Sequence, residues 1–250
     1  MITLHLIGIG TGNPDHLTLQ AVKTLNAADL VMIPRKGDSK ADLAELRRRI
    51  CAEVVTNPLT QIAEFDLPIR DTANPDYLAG VSDWHDAIAL VWQETMNRHA
   101  AARNVALLVW GDPSLYDSTL RIAARLKTPV RLNVVPGITS LQALTAAHAI
   151  PLNRLGGTVT ITTGRHLLQG WPAGADTLAI MLDGNCSFQS LDPTGLSIWW
   201  GAYVGMPEQI ILSGNLATTG PQIVETRARA RTAHGWIMDI YLLRRDINIT

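Results

Sequence analysis

The sequence has few cysteines, and they form no pattern that would bind a metal or staple a fold. Cys51 and Cys186 are far apart in the 250-residue chain and outside any CxxC motif. None of the seven histidines stands in an HExxH motif or at paired metal-ligand spacing. The sequence therefore predicts reduced thiols, a cytoplasmic location, no disulfide framework and no metal cofactor.

The sequence also lacks long apolar runs and an excess of charge. Apolar runs such as 105–110 are far too short to span a bilayer, and no basic stretch precedes an apolar segment at the N-terminus. A formal net charge of −1 provides no basic field of the kind that gathers nucleic acid. These features predict a protein that binds neither membrane nor nucleic acid.

Apolar segments of strand length alternate with segments of helical periodicity through the first 150 residues. This alternation predicts a mainly parallel sheet covered by helices on both faces. The predicted strands are 3–8, 30–33, 105–110 and 131–135. The predicted helices are 17–28, 41–50, 76–100, 118–126 and 139–149.

The second half of the chain has a different pattern of predicted strands and helices. Residues 151–156 are rich in breakers and are predicted to link a first domain at 1–150 to a second at 157–250. Strands are predicted at 158–162, 177–182, 196–203, 209–212 and 236–244, with fewer helices between them. This pattern favours a mixed sheet with an antiparallel last strand. The fold class is therefore α/β.

A glycine-rich loop directly follows the first predicted strand. Gly8, Gly10 and Gly12 would let a ligand approach the backbone closely, although turning the chain is an alternative role. A dinucleotide fingerprint requires a third glycine where Asn13 stands, and an acidic residue near the end of the second strand, which ends at Pro34. Both departures argue against a nucleotide-binding oxidoreductase, which stays an alternative.

Two further small-residue loops follow later strands. The segment 109–116, VWGDPSLY, leaves one predicted strand, and 135–140, VPGITS, leaves the next. Because ligands of open parallel sheets bind at the carboxyl ends of the strands, the three loops are predicted to converge at one edge of the first sheet.

These segments, in this order and spacing, resemble those of the tetrapyrrole methyltransferase family, the class III methyltransferases that depend on S-adenosylmethionine (SAM). The family motifs are a GxGxGxxxxLT opening, a GDPxxY segment and a PGxSS-like segment, and the resemblance covers the whole chain. It implies two αβα domains with SAM in the cleft between them, a tetrapyrrole substrate, S-adenosylhomocysteine as product, and a homodimer.

Additional segments narrow the resemblance within the family. PRKG, MLDGNCSFQS and HGWIMDIYLLRRD are most similar to those of members that methylate C1 of precorrin-5 in cobalamin biosynthesis, releasing acetate and forming precorrin-6A. The alternatives are another tetrapyrrole C-methylation of the same pathway, methylation of protein or ribosomal RNA, and non-catalytic corrinoid binding.

The resemblance also implies which residues contact SAM. The implied contacts are Trp110, Gly111, Asp112, Leu115, Thr139, Ser140, Met181, Tyr203, Val204 and Gly214.

The sequence departs from the family pattern at two positions. Asp117 stands where glycine is usual, and Pro34 stands where uroporphyrinogen-type relatives carry an aspartate.

Methyl transfer to carbon depends mainly on positioning, whereas addition of water to the acyl ketone requires a general base. Asp112 and Asp183 are the candidate bases because both follow predicted strands. The alternative role for Asp112 is to cap the following helix.

Guanidinium groups match the carboxylates of a tetrapyrrole, and exposed solvated charge is the alternative. The predicted substrate contacts are Arg35, Lys36 and Arg165, with His166 beside the last, together with Gly10, Thr11, Gly12 and His16 of the first loop. Arg227, Arg229 and Arg231 alternate with alanines on a predicted helix and are expected to be solvated.

Overall fold

Two compact units make up the chain. The computed structural model describes residues 1–35, 41–71 and 76–246, and the units are Met1–Thr139 and Ser140–Thr250. The segment 151–156, which the sequence predicts as a linker, lies within the second unit.

A five-stranded parallel sheet forms the centre of the first unit. Its strand order is β3-β2-β4-β1-β5, and every neighbouring pair is parallel, as the alternation of strands and helices predicts. The strands are β1 (Ile2–Gly8), β2 (Leu30–Arg35), β3 (Gln61–Asp66), β4 (Asn104–Val109) and β5 (Val130–Val135). Sequence periodicity misses β3, because this edge strand fully buries only Phe65.

Helices cover both faces of this sheet. They are α1 (Leu19–Asn26), α2 (Ala41–Val54), α3 (Tyr77–Arg98) and α4 (Thr119–Ala123). Leu25 of α1 and Ile50 of α2 pack against one face, whereas Trp92 of α3 and Ile122 of α4 pack against the other. With two buried faces, the central strands β2 and β4 become nearly continuous apolar runs.

Side-chain caps start the helices where the sequence changes period. The hydroxyl of Thr18 accepts from the backbone N–H of Ala21 at the start of α1. The carboxylate of Asp76 accepts from two backbone N–H groups at the start of α3. Each cap satisfies donors that the first helical turn leaves unpaired.

The second unit contains a mixed five-stranded sheet of order β6-β7-β10-β8-β9. Its strands are β6 (Val159–Thr163), β7 (Thr177–Met181), β8 (Leu196–Ala202), β9 (Ile210–Asn215) and β10 (Asp239–Arg245), and its helices are α5 (Ser140–Ala147), α6 (Gly164–Leu167) and α7 (Leu216–His234). Strand β10 runs antiparallel to both β7 and β8, which confirms the prediction for the last strand.

The expectation that the arginines of α7 are solvated is wrong for Arg227. Its side chain is only 11% exposed, and its Nε lies 2.8 Å from a carboxylate oxygen of Asp239. The indole Nε1 of Trp200 donates to the same oxygen of Asp239 at 3.0 Å. The sequence could not reveal this ion pair, because Asp239 reaches α7 only through the return of β10.

Among the described residues, no helix is both long enough and apolar enough to cross a membrane.

Candidate functional site

The loops after β1 and β4 are joined at the carboxyl edge of the first sheet. The backbone N–H of Gly111 donates to the carbonyl of Gly10 at 2.8 Å, and the N–H of Gly10 donates to the carbonyl of Gly111 at 3.3 Å. These two bonds form an antiparallel bridge between the loops, beyond the end of the parallel pairing of β1 with β4. Two of the three loops therefore meet as the sequence predicts.

The loop after β5 completes the convergence. A Cβ atom at Gly8 would lie 2.6 Å from the backbone nitrogen of Gly137 and 2.7 Å from the carbonyl oxygen of Gly111. A Cβ atom at Gly137 would lie 2.8 Å from backbone atoms of Gly8. No side chain fits where these backbones touch, which explains why glycine occupies both positions.

The first loop folds back onto its own short 3₁₀ helix, Pro14–His16. The hydroxyl of Thr11 lies 3.0 Å from Nδ1 of His16, and Gly10 has a positive φ of 72°. Thr11 is buried, so its hydroxyl is engaged inside the loop. These contacts hold the loop in shape, and a role of Gly10, Thr11, Gly12 and His16 in binding substrate stays a prediction.

Asp112 connects the second loop to the third. One carboxylate oxygen accepts from the backbone N–H of Gly137 at 2.9 Å. The other accepts from the backbone N–H of Ser114 at 2.8 Å and from the Ser114 hydroxyl at 2.5 Å. The interpretation of Asp112 as a helix cap is wrong, since α4 begins at Thr119 and its N-cap residue is Ser118. Its role as a general base stays a prediction, and its hydrogen bonds favour holding the loops.

These hydrogen bonds predict a pH-dependent contribution of Asp112 to stability. Burial raises the pKa of Asp112, but the bonds from Ser114 and Gly137 outweigh it and lower the pKa below its ordinary value of 3.8. A lowered folded-state pKa stabilises the protein above 3.8, and the contribution is lost as the pH falls through the folded-state value. In urea unfolding, Asp112→Asn should therefore be less stable than the wild type near neutral pH, with the difference shrinking in acid.

The matched control for this experiment is Asp83→Asn, which changes an exposed carboxylate on α3. This variant is expected to unfold at the same urea concentration as the wild type near neutral pH. A stability difference for Asp112→Asn that stays constant from neutral to acid pH would contradict the role of the carboxylate charge.

The remaining predicted SAM contacts of this region lie at the same edge. Thr139 is buried, and its Cα would lie 3.8 Å from a Cβ atom at Gly111. Leu115 donates its backbone N–H to the carbonyl of Asp112 at 3.2 Å, closing a turn within the second loop. Trp110 directly follows β4. Ser140 begins α5 and belongs to the second unit.

Arg35 ends β2, and its guanidinium is already engaged. It donates from Nε and Nη2 to the two carboxylate oxygens of Asp66 at 2.9 and 2.8 Å, across the register of β2 with β3. The side chain stays half exposed, so contact with substrate remains a prediction. Lys36 lies outside the described residues.

In the second unit, Asp183 follows β7 and is buried in a set of donors. Its carboxylate accepts from the Tyr241 hydroxyl at 2.5 Å, from the Ser187 N–H at 2.6 Å, from the Ser187 hydroxyl at 2.8 Å and from the Asn185 N–H at 3.1 Å. Burial and the bond to Asp183 strongly raise the pKa of Tyr241. A role for Asp183 as general base stays a prediction, and these four bonds favour a structural role.

The other predicted residues of the second unit do not all share one edge of its sheet. Met181 ends β7, and Tyr203 and Val204 follow β8, which is parallel to β7 through their shared partner β10. Gly214 instead pairs with Ile198 near the start of β8. The register therefore places Gly214 toward the opposite edge from the other three.

The side chain of Tyr203 points into the second unit. Its hydroxyl donates to the carbonyl of Trp236 at 2.6 Å, and the residue is almost fully buried. Burial raises the pKa of Tyr203. Only its backbone could contact a ligand, so the prediction for Tyr203 concerns backbone recognition. Arg165 and His166 lie on α6, directly after β6.

Arg47, a buried cation of α2, is not among the residues that the sequence predicts at the site. Its guanidinium carbon lies 5.1 Å from the centre of the Trp110 ring. The residue stands in the run Arg47 to Arg49, which reads as a solvated helix face. No local signal distinguishes it from its neighbours, because burial of this one position depends on how α2 packs against β4.

In the described parts of the chain, no group of three or more His, Cys, Asp or Glu side chains is arranged to hold a metal ion.

A parallel sheet whose small-residue loops meet at its carboxyl edge is the arrangement of α/β proteins that bind ligands at that edge. Residues 3–219 match the family model described as Tetrapyrrole (Corrin/Porphyrin) Methylases. The chain therefore belongs to the tetrapyrrole methylase family.

Individual relatives agree with this membership. The chain is 48% identical over 245 residues to a precorrin-6A synthase (deacetylating) from Sinorhizobium sp, covering 96% of this chain and 94% of the relative. It is 38% identical to a solved cobalamin synthesis related protein from Corynebacterium diphtheriae, with a TM-score of 0.83 and coverage of 98% and 99%. A Thermus thermophilus uroporphyrin-III C-methyltransferase, solved with S-adenosylhomocysteine, is 20% identical, with a TM-score of 0.60 and 97% coverage of both chains, and shows the fold alone.

Proposed function

We propose that the chain transfers a methyl group from SAM to ring carbon C1 of precorrin-5 and releases acetate, which is the reaction of a precorrin-6A synthase (deacetylating). The observation that carries the choice of substrate is the similarity to the Sinorhizobium precorrin-6A synthase over nearly the whole of both chains. A relative with the same fold but another substrate would not be expected to match so closely along its whole length.

SAM supplies an electrophilic methyl group on a sulfonium. The first unit suits an adenosyl ligand, since Trp110 and Leu115 offer partly exposed apolar surface and Gly111 carries no side chain between its backbone and a close neighbour. The bonds of Asp112 to Ser114 and Gly137 keep these loops in one arrangement before the ligand arrives. A preformed site lowers the ordering cost of binding. Met181, Tyr203 and Val204 are the proposed contacts of the second unit.

The reaction proceeds by hydrolysis of the acyl group and alkylation of the carbon that carried it. Water adds to the ketone of the two-carbon acyl group, the bond between this group and C1 breaks, and acetate leaves. The electron pair of that bond remains on C1, which attacks the methyl carbon while the sulfonium sulfur takes the electrons of the broken bond. Positioning of C1 in line with the sulfonium accounts for most of the rate gain. Asp112 and Asp183 are the proposed bases for the water.

A homodimer, which the family resemblance implies, completes the proposal together with a cytoplasmic location and the absence of a bound metal, which the sequence predicts. Sedimentation analysis of the purified chain tests the dimer, and metal analysis of the same sample tests the last point.

The proposed reaction is tested by supplying enzymatically generated precorrin-5 and methyl-labelled SAM to the purified chain. Label in the tetrapyrrole and acetate in solution are expected in equal amounts, because one acetate leaves for each methyl group transferred. Label without acetate would point to another tetrapyrrole C-methylation, such as that of the Sinorhizobium precorrin-2 C(20)-methyltransferase, which is 33% identical over 59% of this chain. Neither product from a preparation that binds S-adenosylhomocysteine would contradict the proposal.

A further inference from the structure

The first sheet divides at its carboxyl edge between β2 and β4. The two strands pair only from Leu30 to Met32, and beyond this point β2 continues beside β3 while β4 continues beside β1. The connection from β2 leads to β3 on one side, and that from β4 leads to β5 on the other. Such a point, where neighbouring connections leave in opposite directions, is where open α/β sheets bind ligands.

A cavity of about 250 Å³ lies at this division, entirely within the first unit. Pro34 of β2 and Leu108 of β4 line it from the two diverging strands, and Arg47 of α2 and Trp92 of α3 line it from opposite faces of the sheet. The cavity is smaller than the 300–1,000 Å³ of ordinary small-molecule pockets, so it suits part of a ligand rather than a whole macrocycle.

Arg47 brings a positive charge into this cavity. The residue is 9% exposed, and among the described residues its guanidinium donates only to the backbone carbonyls of Leu108 at 3.3 Å and Leu43 at 3.2 Å. Within the described residues, no carboxylate oxygen lies within 4.0 Å of it. Burial lowers the pKa of Arg47 to about 10, which leaves it charged at neutral pH. Buried charges are normally paired, so this one is suited to an anion.

Two of the residues that line the same cavity carry buried indole N–H groups without an acceptor in the described part of the chain. Nε1 of Trp92 and Nε1 of Trp110 are both buried and have no hydrogen-bond acceptor among the described residues. Trp92 itself is 3% exposed. An indole N–H only donates, as does a guanidinium, so the three groups together call for a ligand that only accepts. A carboxylate has this property and the charge opposite to that of Arg47.

We propose that this cavity binds one carboxylate arm of the tetrapyrrole, with Arg47, Trp92 and Trp110 as its donors. The identity of the macrocycle rests on the proposed function, whereas binding of a carboxylate does not. An acetate or propionate arm fits the volume and leaves the ring outside. Arg35 was one of the sequence-based candidates for such contacts, but its guanidinium is already bonded to Asp66, so Arg47 is the stronger candidate.

The negative charge of Asp117 opposes binding of a carboxylate, so removal of this charge tests the proposal through an expected gain in affinity. It lines the same cavity, and its Oδ1 accepts from the backbone N–H of Thr119 at 2.6 Å. An asparagine retains an oxygen for that bond and removes the negative charge. Asp117→Asn should therefore bind a carboxylate more tightly, whereas Arg47→Met should bind it at least about tenfold more weakly, since a bond to a charged group contributes roughly that factor or more.

The experiment follows the indole N–H signals of ¹⁵N-labelled protein during titration with propionate at constant ionic strength. The signals of Trp92 and Trp110, assigned from Trp92→Phe and Trp110→Phe, are expected to shift together and to saturate. Half-saturation of the shifts should need at least about tenfold more propionate in Arg47→Met, less propionate in Asp117→Asn, and the wild-type concentration in Arg48→Met. The last variant is the matched control, because Arg48 is the next residue of α2 and pairs with Glu45 and Glu64 outside the cavity.

Titration with precorrin-5 in the presence of S-adenosylhomocysteine distinguishes binding of a carboxylate arm of the tetrapyrrole from binding of free propionate. If an arm enters the cavity, the macrocycle shifts the same two indole signals, and propionate then has no further effect. Indole signals that respond to propionate but not to the macrocycle would overturn the arm as occupant. Wild-type signals that ignore propionate would overturn the carboxylate site itself. Failure of the proposed reaction would appear separately, as missing acetate release.

Discussion

Substitution of alanine for Gly137 is expected to weaken binding of S-adenosylhomocysteine by at least about tenfold and to lower the free energy of unfolding by about 1–3 kcal/mol. The added Cβ would fall on the carbonyl oxygen of Gly111 and 2.8 Å from backbone atoms of Gly8. These are backbone atoms of the end of β1 and of the loop after β4, which cannot rotate away as a side chain can. The three loops must therefore separate, and the proposed SAM contacts on them separate too.

Isothermal titration calorimetry with S-adenosylhomocysteine and urea unfolding of the same samples provide the two measurements. The matched control is Gly184→Ala, because a Cβ atom at Gly184 meets nothing within 4 Å and its φ is not positive. This control should bind and unfold like the wild type. If Gly137→Ala bound the ligand with wild-type affinity, the convergence of the loops would not be what prepares the site.

Replacement of Asp183 by alanine should lower the free energy of unfolding by about 3 kcal/mol or more. The change leaves the hydroxyls of Tyr241 and Ser187, and the backbone N–H of Ser187, without an acceptor in a buried place. Each buried donor without a partner costs about 1–3 kcal/mol. Gly164 packs closely against the Asp183 carboxylate, so removal of this carboxylate also leaves a small cavity, which lowers the stability further.

Urea unfolding of Asp183→Ala against Asp192→Ala tests this expectation. Asp192 is an exposed carboxylate that accepts from the backbone N–H of Thr194 at 3.0 Å, so its loss should cost far less. Acetate release measured on folded Asp183→Asn separates the two roles of the residue. A stable variant that binds substrate but releases no acetate would favour the general base, and a destabilised variant that still turns over would favour the structural role.

Most of the fold could be predicted from the sequence, because it depends on the spacing of apolar residues and on the order of strands and helices along the chain. Four of the five strands of the first sheet were predicted, β2 and β4 as nearly continuous apolar runs and β1 and β5 as shorter apolar segments interrupted by polar residues. The converging loops follow from the rule that parallel strands end at one edge. It missed β3, whose side chains are mostly exposed at the sheet edge, so its sequence shows little apolar alternation. It also placed α5 in the first domain, since a helix after a strand does not reveal which sheet it packs on.

The candidate site was recovered less completely, because side-chain roles depend on neighbours that are distant in sequence. Asp112 was predicted at the site, yet its bond to Gly137 joins the loops after β4 and β5, which lie on either side of β1. Arg35 was predicted to be available, yet Asp66 on the unpredicted strand β3 engages it. Arg227 was predicted to be solvated, yet β10 brings Asp239 beside it.

The amino-acid sequence by itself determined the α/β class, the three glycine-containing loops and the family, because these depend on local periodicity and on short motifs. Only the tertiary structure decided which charged groups are paired and which are left to bind. Arg47 and Arg48 are adjacent in sequence, but Arg48 meets two carboxylates while Arg47 is buried beside Trp110. The difference arises from the packing of one helix on a divided sheet, since neighbouring residues of a helix point in different directions.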